Sequence, residues 1–292
     1  MGPLLFVIFV NDLPNCISTH SWLYADDLKL VSPASTPAEC SRTQRDLDNI
    51  EAWSNSNQLP LCLTKSQCMH MGPSNSKHVY TLGGSAVPIV HQLTDLGLTR
   101  TSDCSSVAHV RGIIGRASRT MGLMWRMFSS RKLTFLMRLF KAYIRPVMEY
   151  ASSSWNSSRP GLVRELEAIQ RRFTKRLRGL GSHTYEARLQ HLSLQSLEAR
   201  RLQADLLMVH KVLTGQIDVT PASVGLTVSK NSTRGAGINL VVSRAANSTT
   251  AQTFSLRVPS VYNRLPSNIK TIKTVSTFRR HVQRQLTLSS SL

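Results

Sequence analysis

Two adjacent carboxylates, Asp26 and Asp27, stand in the middle of the apolar stretch 22–31, directly after Tyr24 and Ala25. Side by side in hydrophobic surroundings, two carboxylates repel each other and lose hydration, and a divalent cation is the simplest group that offsets both penalties. In phosphoryl transfer to a primer hydroxyl, two such ions roughly 4 Å apart activate the attacking oxygen and stabilise the leaving one. Carboxylates on a rigid turn position them. The tetrapeptide alone is a weak signal, because an aromatic residue near an Asp-Asp pair also arises by chance in a surface turn.

The second chemical signal is charge. The 292 residues carry 36 Lys plus Arg against 16 Asp plus Glu, a net of +20. Residues 1–95 hold five basic and eight acidic side chains, and the remainder holds 31 basic and eight acidic ones. Acids at the front to hold metal and bases behind to hold phosphate are what an enzyme acting on nucleic acid needs. A merely basic scaffold protein is the plainer alternative.

The cationic part is patterned. On a predicted helix over 161–178, Leu162, Leu166, Ile169, Phe173 and Leu177 share one face, while Arg164, Arg171, Lys175 and Arg178 form a stripe on another. Arg138, Lys141 and Arg145 repeat the arrangement on a preceding helix that Pro146 should kink. Few acids compensate them, which favours phosphate contact over ordinary solvated side chains.

Other constellations are weaker. Cys16, Cys40, Cys62, Cys68 and Cys104 are odd in number and irregularly spaced, so a reducing compartment is expected rather than a disulfide framework. Cys62 and Cys68 with His70 and His78 invite a zinc reading, but no Cys-x-x-Cys pair is present and ordinary buried thiols fit better. The apolar run 2–10 lacks the basic flank of a secretion signal, is too short to span a bilayer, and is expected to be buried. No membrane role is expected.

These residues need elements to position them. Residues 22–31 read as a hairpin and 37–57 as a helix, with Leu47, Ile50 and Trp53 three apart. Short strands are expected at 68–71, 79–82 and 91–98. Helices follow at 106–128, 131–151, 161–178, 184–190 and 194–214. The Ser-, Thr-, Gly- and Val-rich segment 215–250 reads as a long loop or linker. A last block, 254–286, has a turn at Leu265-Pro266 and a short amphipathic helix around Phe278 and Val282.

Taken in order, Gly2-Pro3-Leu4-Leu5-Phe6, Asn11-Asp12-Leu13-Pro14 and Leu23-Tyr24-Ala25-Asp26-Asp27-Leu28 resemble the adjacent palm motifs of non-LTR retrotransposon reverse transcriptases of the jockey-like kind. Leu61, Leu63, Thr64, Lys65, Ser66 and Met69 are similar to that family's lysine-containing motif, and Leu96-Gly97-Leu98 to its short strand ahead of the thumb. Segments 139–155 and 166–179 resemble its thumb and post-thumb pattern, and 254–286 its tail. The ordered set is specific where each member is not.

The resemblance implies RNA-templated DNA synthesis with Mg2+ (or Mn2+), and as partners an RNA template, a DNA primer or target and deoxynucleoside triphosphates. It implies an intracellular product that is not secreted, nuclear if it functions as a retrotransposon product. Asp26 would be a principal metal ligand and Asp27 its weaker partner, with Tyr24, Ala25, Gly2 and Pro3 near the primer end and nucleotide. Lys65 would neutralise or protonate the pyrophosphate leaving group, although a lone lysine at a strand end is also ordinary solvated surface. Family members place a further metal-binding aspartate and the nucleotide-gripping fingers ahead of the Gly-Pro motif, at which this sequence begins. Mg2+ is therefore expected only with the complete active site, and negligible polymerase activity from this polypeptide alone. The expected architecture is α+β: a partial palm (1–100) of short antiparallel strands with a helix, a helical thumb-like region (101–180), a helical post-thumb region (181–214), a linker (215–250) and a mixed tail (251–292).

Overall fold

The computed structural model describes residues 1–229, 237–247 and 249–289. It is a mixed α+β protein that divides into two compact units, Met1–Cys104 and Ser105–Leu292.

In the first unit, α1 (Gly2–Val10) leads through a short 3-10 turn at Leu13–Cys16 into β1 (His20–Tyr24) and β2 (Asp27–Val31), an antiparallel pair. Helix α2 (Pro37–Ser56) is started by Thr36, whose hydroxyl accepts from the Glu39 amide while the Glu39 carboxylate takes the Thr36 amide. That reciprocal cap satisfies two of the donors that a helix start leaves open. Two further hairpins follow, β3 (Thr81–Leu82) with β4 (Ser85–Ala86), and β5 (Gln92–Asp95) with β6 (Leu98–Thr101). A small core of Tyr80, Leu82 and Val87 gathers Leu47, Leu61 and Cys68 around it.

Three expectations for this unit need correcting. The apolar run 2–10 is a helix, but only Val10 is buried, and Leu4, Leu5, Val7, Ile8 and Phe9 remain exposed. It is apolar on every side, and the Phe9 ring meets Trp53 edge-on at 6.2 Å while the other faces stay open to solvent. The strand expected over 91–98 turns at its end, because Leu96 and Gly97 both adopt positive φ, 46° and 78°, and chain reversal follows. Cys68 makes only an isolated bridge to Ile89 instead of opening a strand over 68–71.

The second unit is helical: α3 (Val107–Met127), α4 (Leu133–Leu139), a π turn at Phe140–Ile144, α5 (Arg145–Glu149), α6 (Pro160–Lys175), α7 (Tyr185–His191) and α8 (Leu197–Leu213). The π turn lies just ahead of Pro146. Proline has no amide hydrogen to continue the ladder, and the Arg145 amide reaches back five residues to the Phe140 carbonyl. Phe140, Ile144, Met148, Ile169 and Phe173 pack with Ala117, Met121 and Leu197 in one core. The Phe140 and Phe173 rings stack 4.4 Å apart.

A second core joins Leu206 and Val209 of α8 to α9 (Phe254–Asn263), α10 (Ser267–Lys270) and α11 (Val275–Ser289) through Val258, Tyr262, Ile269, Phe278 and Val282. The tail is therefore helical rather than mixed, and it shares a core with α8. The described part of the expected linker also contributes to that core: Leu226 and Leu240 are buried there, beside an antiparallel bridge between Val228 and Leu240. Loop composition concealed two anchoring leucines.

Candidate functional site

The β1–β2 connection is as short as a hairpin allows. Tyr24 pairs with Asp27, leaving Ala25 and Asp26 as the whole loop. Ala25 takes φ of 54°, a left-handed conformation that its Cβ disfavours by about 1 kcal/mol. Partners across an antiparallel pair share a face, so Asp27 projects on the side of Tyr24, as Lys29 does with Trp22. That face is solvent-exposed, and Leu23, Leu28 and Leu30 on the other are partly buried.

Asp26 and Asp27 are themselves exposed, which corrects the premise that apolar burial demands a counter-cation there. Water solvates both carboxylates, and among the described residues neither side chain is held by a hydrogen bond or ion pair. Two unencumbered carboxylates on a tight turn are hard oxygen donors of the type Mg2+ takes, and that ion is commonly held by one or two carboxylates with water and substrate phosphate completing its shell. The donor type therefore fits Mg2+ or Mn2+. Among the described residues no group of three His, Cys, Asp or Glu side chains could hold a metal by itself.

The other residues expected at this site are dispersed over separate elements. Gly2 and Pro3 form the first turn of α1, where the Leu4 and Leu5 amides donate to the Met1 carbonyl, and none of that turn's hydrogen bonds reaches the hairpin. Lys65 ends an exposed 3-10 turn, Leu63–Lys65, rather than a strand, and no ion pair ties it to Asp26 or Asp27. Its charge, after the stronger hydrogen bond from Thr64, helps to hold the Cys62 thiol below its ordinary pKa. Of the two thiols expected to be buried, Cys62 is exposed and Cys68 partly buried, and all five cysteines are free. Lys29, which motif reading passed over, is the engaged cation of the hairpin and pairs with Asp95.

Behind the hairpin, Asp46 of α2 is buried and accepts from the Ser18 amide at 2.9 Å, the Ser18 hydroxyl at 2.9 Å and the Thr19 amide at 2.8 Å. Burial raises its pKa, but these donors together outweigh that and hold the carboxyl below its usual range. The start of β1 is thereby tied to α2.

In the second unit the expected helix ends at Lys175 rather than 178, so Leu177 and Arg178 lie in the turn after α6, but the buried and exposed rows read true. Leu162, Leu166, Ile169, Phe173 and Leu177 are all buried, and Arg164, Arg171, Lys175 and Arg178 are all exposed. Arg164 donates back to the Pro160 carbonyl at 3.3 Å, and Arg171 lies over the Tyr185 ring at 4.3 Å. Lys175 and Arg178 have no partner among the described residues. Two cations that the motif reading did not single out, Arg131 and Arg176, both sit over the Trp125 ring, at 5.4 and 5.9 Å.

On the preceding helix Arg138 and Lys141 are exposed, but Arg145 is not an open phosphate contact. It lies 3.6 Å from Glu149, and Glu149 is also bound in two-point fashion by Arg200 from α8. Burial, and the neighbouring Arg200 charge, lower the Arg145 pKa against the pull of Glu149.

Other arginines belong to buried networks. Arg257 binds Asp205, Asn156 bridges Asp205 to the Arg201 Nε, and Glu167 accepts from the Leu197 and Glu198 amides at the start of α8. A carboxylate at that helix start complements its partial positive charge.

Comparison with protein-family models, curated proteins and solved structures finds no match to this chain.

What the two units offer is thus of two kinds. The hairpin presents two exposed carboxylates, the donor type that a hard cation takes, and α6 with its neighbours presents exposed guanidinium and ammonium groups, the donor type that phosphate takes. No helix among the described residues is long and apolar enough to cross a membrane.

Proposed function

We propose that the chain is part of an RNA-directed DNA polymerase of the non-LTR retrotransposon kind, with residues 1–100 a partial palm and 101–180 a thumb-like region. The observation that carries the reading is the hairpin at Tyr24–Asp27. It presents both carboxylates to solvent, Asp26 from the two-residue loop and Asp27 from the first position of β2, and it stands within the ordered run of motifs from Gly2-Pro3 to Leu166 and beyond.

When bound by Asp26 and Asp27, Mg2+ or Mn2+ would supply Lewis-acid activation of a primer hydroxyl and neutralise developing phosphate charge. The chain's own residues divide the remaining work. Tyr24 and Ala25 border the primer end, Lys65 offers its ammonium to the leaving phosphate, and the exposed bases of α6 grip the nucleic-acid backbone. Among the described residues no third acid joins these two, an incomplete catalytic set, and the expected outcome is that this polypeptide alone incorporates no nucleotide.

The test is a Mn2+ titration followed by NMR in the presence of primed RNA. Paramagnetic broadening is expected at residues 23–28 and lost in Asp26→Asn with Asp27→Asn. Broadening confined to other regions sinks the reading. Metal-dependent incorporation on primed RNA by this chain, abolished in Asp26→Ala, would overturn the inactivity.

A second reading is a non-catalytic nucleic-acid-binding protein. The observation favouring it is that Asp26 and Asp27 are solvated and need no cation, whereas Lys175 at the end of α6 and Arg178 just after it have no partner among the described residues and remain available. Nucleic-acid binding without any Mn2+ signature at the hairpin selects it.

A further inference from the structure

The second unit contains a hollow of about 310 Å3 between α4, the π turn and the end of α7. Its apolar lining comes from Leu133, Met137 and Leu192. Three cationic or protonatable side chains converge on the same hollow: Arg138 and Lys141 from one helix face, and His191 from α7. All three are exposed, and among the described residues none is engaged by an acid or a hydrogen bond. The remaining lining residue, Thr134, is exposed as well.

The arrangement follows from local geometry. Leu133 and Met137 are four apart, as are Thr134 and Arg138, and Lys141 continues the second row, so one helix face carries an apolar row beside a polar one. Met137 and Leu192 are also part of the first core, so the floor is fixed by packing. The cations stand at an apolar hollow, where a ligand's charge would be less well solvated than on an open helix face.

We propose that this hollow holds one unpaired nucleotide of a nucleic-acid strand, with its base against Leu133, Met137 and Leu192 and its phosphate between Arg138, Lys141 and His191. The volume lies at the lower end of small-ligand clefts, roughly 300–1,000 Å3, which admits a single nucleotide and excludes a duplex. An apolar floor takes any base face, and the Met137 thioether is a favourable neighbour for an aromatic ring. Three donors above it suit a phosphodiester.

This rests on the nucleic-acid reading of the second unit, and the test separates the two. Fluorescence anisotropy on the full chain would compare a labelled blunt duplex with the same duplex carrying a single-nucleotide overhang. The overhang probe should bind about tenfold tighter, a margin of the size that one base contact supplies. Thr134→Trp fills the hollow without changing charge, and His191→Ala removes one phosphate donor. The first should abolish the preference and the second reduce it, while duplex affinity stays within about twofold for both. A preference that survives Thr134→Trp, or equal losses for both probes, overturns the pocket and leaves the cationic surface standing. Failure of both probes to bind the unaltered chain overturns the nucleic-acid reading and the pocket together.

Discussion

Asp205, fully buried, receives the Arg257 guanidinium at 2.8 Å from a point 52 residues further along the chain. Asn156 donates to the same carboxylate, and the Gln252 side chain accepts from the Ser158 amide and hydroxyl. The tail is thus stitched to the helices before it by charge as well as by its apolar core.

Arg257→Ala leaves the Asp205 carboxylate in a buried site with only the Asn156 amide. Loss of one partner of such a pair costs about 3–5 kcal/mol. Urea denaturation should show a drop of that size, with earlier proteolysis of the segment after residue 250. A change under about 1 kcal/mol would mean that water reaches the carboxylate.

At the hairpin the expected effects on stability are small or favourable. Asp26→Asn and Asp27→Asn alter exposed side chains without partners and should shift stability by no more than about 0.5 kcal/mol. Ala25→Gly relieves a positive φ and should stabilise by about 1 kcal/mol, read as a higher urea midpoint at unchanged slope. A destabilising Ala25→Gly would show that the loop does not keep its left-handed residue in solution.

The cationic stripe predicts a salt signature. Arg171→Gln and Lys175→Gln should each weaken binding to duplex and single strand alike and reduce the slope of log K against log salt by about 1. Arg145→Gln should barely change that slope, because Glu149 and Arg200 already engage this guanidinium's surroundings. Equal slopes for all three variants would place the bound phosphate elsewhere.

Asp46 gives the first unit an acid limit. Its folded carboxyl is held below the ordinary carboxylate value, so its contribution is fully present above the unfolded pKa, about 3.9, and is lost as pH falls through the lower folded value. Stability measured from neutral pH downward should fall in that acid range. In Asp46→Asn, stability at neutral pH should be lower and this part of the acid dependence gone.

What was legible in the sequence was mainly what repeats locally. The buried row from Leu162 to Phe173 and the exposed row from Arg164 to Lys175 follow from helical period alone, and the helix start at Pro37 and the hairpin around Asp26 follow from short-range chemistry. What escaped was set by distant partners. Arg145 reads as an open cation until Glu149 meets Arg200, 51 residues away. Leu226 and Leu240 look like linker until α8 and the tail enclose them. Leu96 was hidden for another reason: a leucine in left-handed conformation has no compositional mark, and only Gly97 beside it hinted at reversal.

The exposed apolar faces of α1 govern how the protein behaves at the bench. With a net charge of +20, molecules repel one another in dilute buffer, and that repulsion keeps Leu4, Leu5, Ile8 and Phe9 of neighbouring copies apart. Added salt shortens the range of the repulsion from about 30 Å at 0.01 M to about 8 Å at 0.15 M and leaves apolar attraction intact. Solubility should therefore decline as ionic strength rises, and a polar substitution such as Ile8→Lys should widen the usable range of salt.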